Sequence, residues 1–411
     1  MEKFVSNTIS IQSIQVPASK SVAQRVLFSA ALSKKTIELF NLGTCDDVHH
    51  IKDIIKQLGA ELIETENSIK VTGRKQPIKS TLNCGESGLG IRLTTSIAST
   101  FGKEFTIIGS GSLLKRPLIQ FTEFLPQMGV TINEDGKFPL KISGQLTGGE
   151  YTVDGSLSSQ YISGLLMALP LCPEDSILHV TAPTSLPYID ITLSVLAFFG
   201  VKIENINYSK YLITGNQTYV PQEKHFTVEG DWSSAAFWIV YGVIKGEITI
   251  KNLDKDSTQA DKVILEVIEL VGSTYIWIGD DLIITKKKVT SFEFDATNCP
   301  DLFPILVVLA ASANGITTIQ GVNRLIHKES NRALVLQNQF HKLGLKIEIK
   351  DNTMYIHGKE ALNSGEIHAN NDHRIAMCGA IAAQLTDNGI KISNAESVNK
   401  SYPTFWDSIL N

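Results

Sequence analysis

Five glycines recur at almost equal spacing along the chain, and each ends an apolar helical stretch and opens a two-strand pattern. They are Gly59, Gly129, Gly200, Gly272 and Gly344, separated by 70, 71, 72 and 72 residues. The text that follows them is alike: LGAELIETENSIKVTG, MGVTINEDGKFPLKISG, FGVKIENINYSKYLITG, VGSTYIWIGDDLIITK and LGLKIEIKDNTMYIHG. A helix-ending glycine followed by alternating apolar residues, a polar turn and a second strand predicts a helix–hairpin unit. One such unit would be commonplace. Five in register make the repeat the element from which the fold is built.

The rest of the unit repeats as well. A strand runs through a small or polar turn into a helix after Val16, Asn83, Val153, Val228, Phe294 and Ala369. With Lys20, Gly88, Ser158, Asp231, Asp301 and Asp372 as markers, the gaps are 68, 70, 73, 70 and 71 residues. A second strand and helix lead back to the glycine, so the unit reads βαβα plus hairpin, six times over. The sixth copy is cut short, because its glycine is due beyond residue 411. Its second helix is expected over Tyr402–Leu410, and the alternating segment Phe4–Val16 is expected to supply its missing strands, bringing both termini into one domain. Six units exceed one core. The expectation is an α/β fold of two similar domains of three βαβαββ units each, one over 17–228 and the other over 1–16 plus 229–411, with chain crossings near Val16–Ala18 and Val220–Gly230.

Composition narrows the class. Apolar residues make up 43% and charged residues 19%, ordinary values for a soluble α/β protein. No apolar run is long enough to span a membrane, and MEKFVSNTIS lacks a signal-peptide core. The five cysteines are scattered without a CxxC pair, which favours neither a disulfide framework nor zinc, and fits a reducing cytoplasm. A net charge of −5 argues against a nucleic-acid partner.

Within this acidic chain, cations fall at equivalent places in the repeats. Lys20 with Arg25, Arg92, and His373 with Arg374 lie at or near the starts of first helices. Arg116, Lys328 with Arg332, and Lys400 follow the second strands. Helix N-termini carry unpaired N–H groups and partial positive charge, so added Lys and Arg suit them to phosphate and carboxylate. Any one of these cations could be a solvated cap. Their recurrence points instead to a site for small polyanions, with helix ends of both domains converging on a cleft. Two carboxylates sit beside them: Asp301, one residue after Pro300 at a helix start, and Glu329, between Lys328 and Arg332. Ser158, Ser159 and Gln160 offer two hydroxyls and an amide, either as a cap or as a hydrogen-bonding cradle. This chemistry indicates acid–base catalysis on polyanions without naming the reaction.

Ten ordered segments then resemble the 5-enolpyruvylshikimate-3-phosphate (EPSP) synthase family. They are Pro17–Arg25 (PASKSVAQR), Asn83–Arg92 (NCGESGLGIR), Lys115–Leu118, Ser158–Gln160, Ser185–Leu193 (SLPYIDITL), Gly230–Phe237 (GDWSSAAF), Pro300–Pro304, Lys328–Arg332 (KESNR), Asp372–Met377 (DHRIAM) and Lys400–Phe405 (KSYPTF). The resemblance spans essentially the whole chain. It implies the enolpyruvyl transferase fold, an inverse α/β barrel-like arrangement of two three-repeat domains, with shikimate 3-phosphate bound mainly by residues 17–228. The implied reaction transfers the enolpyruvyl group of phosphoenolpyruvate to the 5-hydroxyl of shikimate 3-phosphate and releases phosphate, a step toward chorismate and aromatic amino acids.

Residue roles follow from the same resemblance. Lys20, Ser21, Arg25, Ser158, Ser159, Gln160, Ser185, Asp301 and Lys328 match shikimate 3-phosphate contacts. Lys20, Gly88, Arg116, Gln160, Arg332, Arg374 and Lys400 match phosphoenolpyruvate contacts. Asp301 matches the base that takes the 5-hydroxyl proton, Glu329 the acid that protonates the methylene carbon, and Lys20 a third catalytic group. No metal or organic cofactor is implied, nor a membrane or nucleic-acid partner; a cytoplasmic monomer is. Leu89 stands where the family usually has Thr, Asn331 where KESDR has Asp, and Ile326 where Arg is common; Arg324 replaces an Asn of some relatives and is left without a role. Gly88 is expected to leave room for glyphosate. The alternative, UDP-N-acetylglucosamine enolpyruvyl transferase, carries a cysteine in the loop before the arginine equivalent to Arg116. Here that loop, Gly109–Arg116, has none.

Overall fold

All five repeat glycines adopt the left-handed backbone, with φ between 73° and 97°. The residue after four of them donates its N–H five positions back: Ala60 to Ile55, Val130 to Leu125, Val201 to Leu196 and Leu345 to Phe340. Ser273 does the same to Ile268. This is the Schellman closure, which satisfies helix carbonyls and turns the chain into the hairpin; the αL step costs a side-chain-bearing residue about 1–2 kcal/mol. The sequence period is therefore a period of helix stops.

The computed structural model describes residues 1–73, 76–133 and 135–410. It divides into two compact units, Met1–Ala18 with Glu229–Asn411, and Ser19–Val228. Among the described residues the strands form six open sheets of mixed direction, and none closes into a barrel. In the sheet of Gly149–Asp154, Ser176–Thr181, Lys210–Ile213 and Ile203–Ile206, the first two strands run parallel and the hairpin strands antiparallel. The sheets led by Thr81–Asn83 and Glu293–Asp295 have the same order. A helix joins each parallel pair, as parallel neighbours require.

Two sheets exchange their leading strands. Ser13–Gln15 precedes the Lys20–Leu32 helix in sequence, yet it pairs in parallel with Ile248–Lys251. His225–Thr227 precedes the Trp232–Lys245 helix, yet it pairs with Ile37–Phe40. Only Glu2–Val5 joins the incomplete sixth sheet, antiparallel to Ile390–Ser393, so that sheet has three strands. Phe4–Val16 thus serves two sheets rather than completing one. The final helix spans Phe405–Leu410, starting three residues later than expected, beyond Pro403.

The cores lie around the first helix of each repeat. Gly88–Ala98, Phe303–Ala311 and His373–Ala382 are buried along their whole lengths, as helices apolar on every side must be. In the unit containing residues 229–411, the Trp232–Lys245, Phe303–Ala311 and His373–Ala382 helices pack against one another. Five of the six first helices start on a side-chain cap: Ser19, Ser87, Ser158, Asp231 and Asp372 each accept a backbone N–H of the first turn. These caps fix where functional side chains leave the helix starts.

Two glycine replacements separate conformational cost from steric cost. Gly272 has φ +81° with no atom within 4 Å of an added Cβ, whereas a Cβ on Gly230 would lie 1.8 Å from the Asn252 carbonyl oxygen. In urea unfolding, Gly272→Ala should lose about 1–2 kcal/mol. Gly230→Ala should lose clearly more, because backbone must move. Equal losses would contradict the distinction.

Candidate functional site

Helix starts converge in the unit containing residues 229–411. Asp301 lies in a 3₁₀ turn, Pro300–Leu302, that feeds the Phe303–Ala311 helix. Arg374, in the first turn of the His373–Ala382 helix, donates Nη2 to Asp301 Oδ2 at 3.0 Å and Nη1 to the Ser233 hydroxyl, in the first turn of the Trp232–Lys245 helix. Three N-termini therefore meet through one guanidinium.

A second guanidinium is the hub. Arg332, the first residue of the Arg332–Lys342 helix, is 1% exposed and touches three carboxylates. Its Nη1 donates to Asp301 Oδ1 at 2.7 Å, its Nη2 to Glu329 Oε2 at 2.6 Å, and its Nε to Asp372 Oδ2 at 2.8 Å. Asp372 is fully buried; it also accepts the Ser330 hydroxyl at 3.0 Å and the Arg374 backbone N–H at 3.0 Å. Lys328 Nζ stands 3.4 Å from Asp301 Oδ1. Lys400 Nζ donates to the Asn371 carbonyl at 2.7 Å, just ahead of the Asp372 cap.

These contacts set protonation states. Burial pushes the Asp301 carboxyl up, but Arg374, Lys328 and Arg332 together outweigh it and hold the group well below the ordinary carboxylate range. Burial pushes the Lys328 ammonium down to about 8, with Arg332 and Arg324 pushing the same way against Asp301 and Glu329. Arg332 stays charged, because its three carboxylates outweigh its burial. Asp301 is thus an ionised acceptor beside an amine that gives up its proton unusually easily for lysine.

In the Ser19–Val228 unit the expected residues again mark helix starts. Lys20 opens the Lys20–Leu32 helix, its Nζ 3.1 Å from Asp47 Oδ2. Arg25, one turn on, is 1% exposed and donates to the Thr192 hydroxyl (2.7 Å), the Ser21 carbonyl (2.8 Å), the Tyr188 carbonyl (3.1 Å) and the Ser163 hydroxyl (3.3 Å). All four partners are neutral. A buried cation with no carboxylate partner among the described residues is destabilised, and burial lowers Arg25 to about 10. Such a cation gains most from an added anion.

Arg116 lies over the start of the Gly88–Ala98 helix: a Cβ on Gly88 would stand 2.0 Å from Arg116 Nη1. Gly88 is therefore a contact surface for the guanidinium. Leu89, next to it, is buried. Arg92 stays within this region, donating to the Gly88 and Pro117 carbonyls and lying 4.8 Å over the Tyr161 ring. Ser158 caps the Ser159–Ala168 helix, and Gln160 Oε1 is buried without a hydrogen-bond partner among the described residues. Ser185 caps the Leu186–Phe198 helix in the left-handed region, φ 54°, a strained conformation for a serine.

The structure thus gathers Asp301, Lys328, Glu329, Arg332 and Arg374 into one ion cluster and sets Gly88 against Arg116. Ser21 and Ser159 are placed at helix starts, and Lys400, at the end of the Ala395–Lys400 turn, reaches the chain just ahead of the Asp372 cap. Two partners escaped the sequence reading. Asp372 served there as a repeat marker and as the first residue of the DHRIAM segment, without a role of its own. Asp47 lies in the acidic first turn of the Asp46–Gln57 helix, where a dipole-matching role is the ordinary reading.

Comparison with known proteins places the chain. Residues 10–409 match the family model described as EPSP synthase (3-phosphoshikimate 1-carboxyvinyltransferase). The 3-phosphoshikimate 1-carboxyvinyltransferase of Clostridium kluyveri is 36% identical over 398 residues, covering 96% of this chain and 93% of the relative. That of Clostridium perfringens (strain ATCC 13124) is 38% identical over 402 residues, with 96% and 94% covered. Among solved structures, the EPSP synthase of Acinetobacter baumannii superposes with a TM-score of 0.82 at 24% identity, over 99% of this chain and 97% of that one. The enolpyruvyl transferase NikO of Streptomyces tendae gives 0.78 at 15% identity, over 100% and 96%. These two likenesses establish the fold.

The Lys328–Asp301 pair can be read directly. Acylation of Lys328, followed by mass spectrometry across pH, should half-titrate near 8 in the free protein. Asp301→Asn removes the charge that holds the proton, so the midpoint should fall further. A midpoint that stays put or rises would contradict the pairing.

Proposed function

The chain belongs to the EPSP synthase family, and from that premise we propose that its clustered cations and carboxylates carry out enolpyruvyl transfer to shikimate 3-phosphate. Phosphoenolpyruvate supplies the enolpyruvyl group, the 5-hydroxyl of shikimate 3-phosphate accepts it, and phosphate leaves. The observation that carries the residue roles is the ion cluster in which Arg332 and Arg374 both hold Asp301.

Two polyanions that repel each other must be brought together, so neutralisation and orientation do much of the catalysis. Lys20, Ser21 and Arg25 bind the shikimate phosphate, with Ser158, Ser159, Gln160 and Ser185 around the phosphate and ring hydroxyls. Among the described residues the Gln160 oxygen has no hydrogen-bond partner and the Arg25 charge no carboxylate, and a ligand would satisfy both. Gly88, Arg116, Arg332, Arg374 and Lys400 receive phosphoenolpyruvate, Lys20 and Gln160 reach both substrates, and Lys328 helps hold the shikimate moiety. Asp301 takes the 5-hydroxyl proton, and Glu329 protonates the methylene carbon.

The free-state pairing supplies a reason for the timing. With Arg332 and Arg374 engaged, Asp301 is a weak base and Glu329 is tied to Arg332. An incoming phosphate or carboxylate competes for the same guanidinium groups and adds negative charge beside both acids. Both changes raise proton affinity. Asp301 becomes a competent base, and Glu329 a competent acid, only when substrate is present.

Phosphate release from phosphoenolpyruvate and shikimate 3-phosphate together, and from neither alone, tests the reaction. Lys20→Ala and Asp301→Ala should each slow turnover by roughly a thousandfold or more while the circular dichroism spectrum is retained. Near-wild-type rates in either would overturn its role. Glyphosate should compete with phosphoenolpyruvate, and Gly88→Ala should raise KM for phosphoenolpyruvate by displacing Arg116; an unchanged KM would contradict the assigned contact.

A further inference from the structure

We propose that Glu86 is a positioning residue for Arg116, its carboxylate fastening the loop that carries the arginine to the start of the Gly88–Ala98 helix. The inference rests on the reading of Gly88 and Arg116 as phosphoenolpyruvate contacts and adds a residue to which no role has been given. Glu86 Oε2 accepts both the backbone N–H of Ser112, at 2.8 Å, and the Ser112 hydroxyl, at 2.7 Å. Ser112 lies near the start of the 3₁₀ turn Gly111–Lys115, and Arg116 closes that turn, its N–H donating to the Leu113 carbonyl at 3.1 Å. The carboxylate therefore grips the turn at its start, and the arginine leaves from its end.

The loop is held on both sides of Arg116. Upstream, Thr81–Asn83 pairs with Phe105–Ile108, and the pairing runs on as Cys84 N–H donates to the Ile108 carbonyl (2.9 Å) and Ser110 N–H to the Gly85 carbonyl (2.7 Å). Glu86 takes over at Ser112, where the strands have ended. Downstream, Arg92 and the Tyr161 hydroxyl both donate to the Pro117 carbonyl, at 3.1 and 2.9 Å. Glu86 itself stands on a fixed base. Its neighbour Ser87 caps the helix by accepting the Gly90 N–H at 3.0 Å and gives its own hydroxyl hydrogen to Gln24 Oε1 at 3.1 Å. The guanidinium of Arg116 is thus laid over Gly88 by the loop that the adjoining carboxylate secures.

Gly111 shows how closely the carboxylate lies. Its φ is +53°, and an added Cβ would stand 2.2 Å from Glu86 Cδ and 2.3 and 2.4 Å from the two carboxylate oxygens. A side chain is excluded there twice, by backbone conformation and by Glu86. Leu113, fully buried, anchors the turn independently, so loss of the carboxylate loosens the loop without unfolding the unit. Both bonds to Ser112 have a charged acceptor, which makes them stronger than neutral ones. A glutamine at position 86 keeps an acceptor oxygen and loses only the charge.

Two measurements on the whole chain test this. Trypsin cleaves after Lys115, an exposed residue of the turn, and cleavage within a loop follows its opening. Glu86→Ala should speed that cleavage by roughly tenfold, and Glu86→Gln by less. In steady-state kinetics Glu86→Ala should raise KM for phosphoenolpyruvate by roughly tenfold, with smaller changes in kcat and in KM for shikimate 3-phosphate, and Glu86→Gln should restore most of the loss. Gly111→Ala, whose methyl group takes the carboxylate's place, should reproduce Glu86→Ala, and the double variant should be no worse than Gly111→Ala alone. Wild-type cleavage, or a wild-type KM for phosphoenolpyruvate, in folded Glu86→Ala overturns the proposal. So does an equal rise in both KM values, the mark of a general structural role. If wild type releases no phosphate at all, the reading of the reaction has failed, and trypsin alone decides whether Glu86 holds the loop. Should Glu86→Ala not fold, Ser112→Ala and Gly111→Ala decide: wild-type behaviour in both overturns the proposal.

Discussion

One buried guanidinium holds together the carboxylates proposed as base and acid. Arg332 bonds Asp301, Glu329 and Asp372 at once, from a position 1% exposed. Each partner belongs to a different piece of local structure: a 3₁₀ turn, the segment ahead of the Arg332–Lys342 helix, and a helix cap. Removing a cation so placed takes an ionic partner from three carboxylates at once, and breaking a buried pair on one side typically costs several kcal/mol. The arrangement therefore stores the electrostatic relation between prospective base and prospective acid in a single side chain.

Charge balance explains why such a cluster is both stable and reactive. Lys328, Arg332 and Arg374 pair with Asp301, Glu329 and Asp372, so cations and carboxylates here hold one another in place. Any anion that enters tips the balance toward protonation of Asp301 or Glu329. The Ser19–Val228 unit is tuned the other way. Among the described residues Arg25 has only neutral partners, and Gln160 has a buried oxygen without one. One set of residues is prepared to change protonation, and the other to take up charge. Burial and helix starts supply both.

Much of this was legible in the chain. The five glycines are stops that only αL-tolerant residues serve well, so backbone sterics wrote the fold's period directly into the sequence. Cations at helix starts were legible for the same local reason. What stayed hidden is set by distant partners. Ser13–Gln15 and His225–Thr227 are three-residue strands with nothing in their own text to say which parallel neighbour they take, so their exchange appears only in the structure. Arg25 reads as a ligand-binding cation, but no spacing rule reveals that Thr192, Ser163 and Tyr188 would occupy its donors.

The central claim is that substrate anions set the basicity of Asp301 by drawing Arg332 and Arg374 away from it. Isotope-edited infrared spectroscopy of aspartate carboxyls, with Asp301→Asn subtracted to isolate one band, follows its protonation across pH. The account predicts that Asp301 titrates well below the ordinary carboxylate range in the free protein. Its midpoint should move upward when shikimate 3-phosphate and inorganic phosphate are bound together. A midpoint indifferent to both ligands would contradict it.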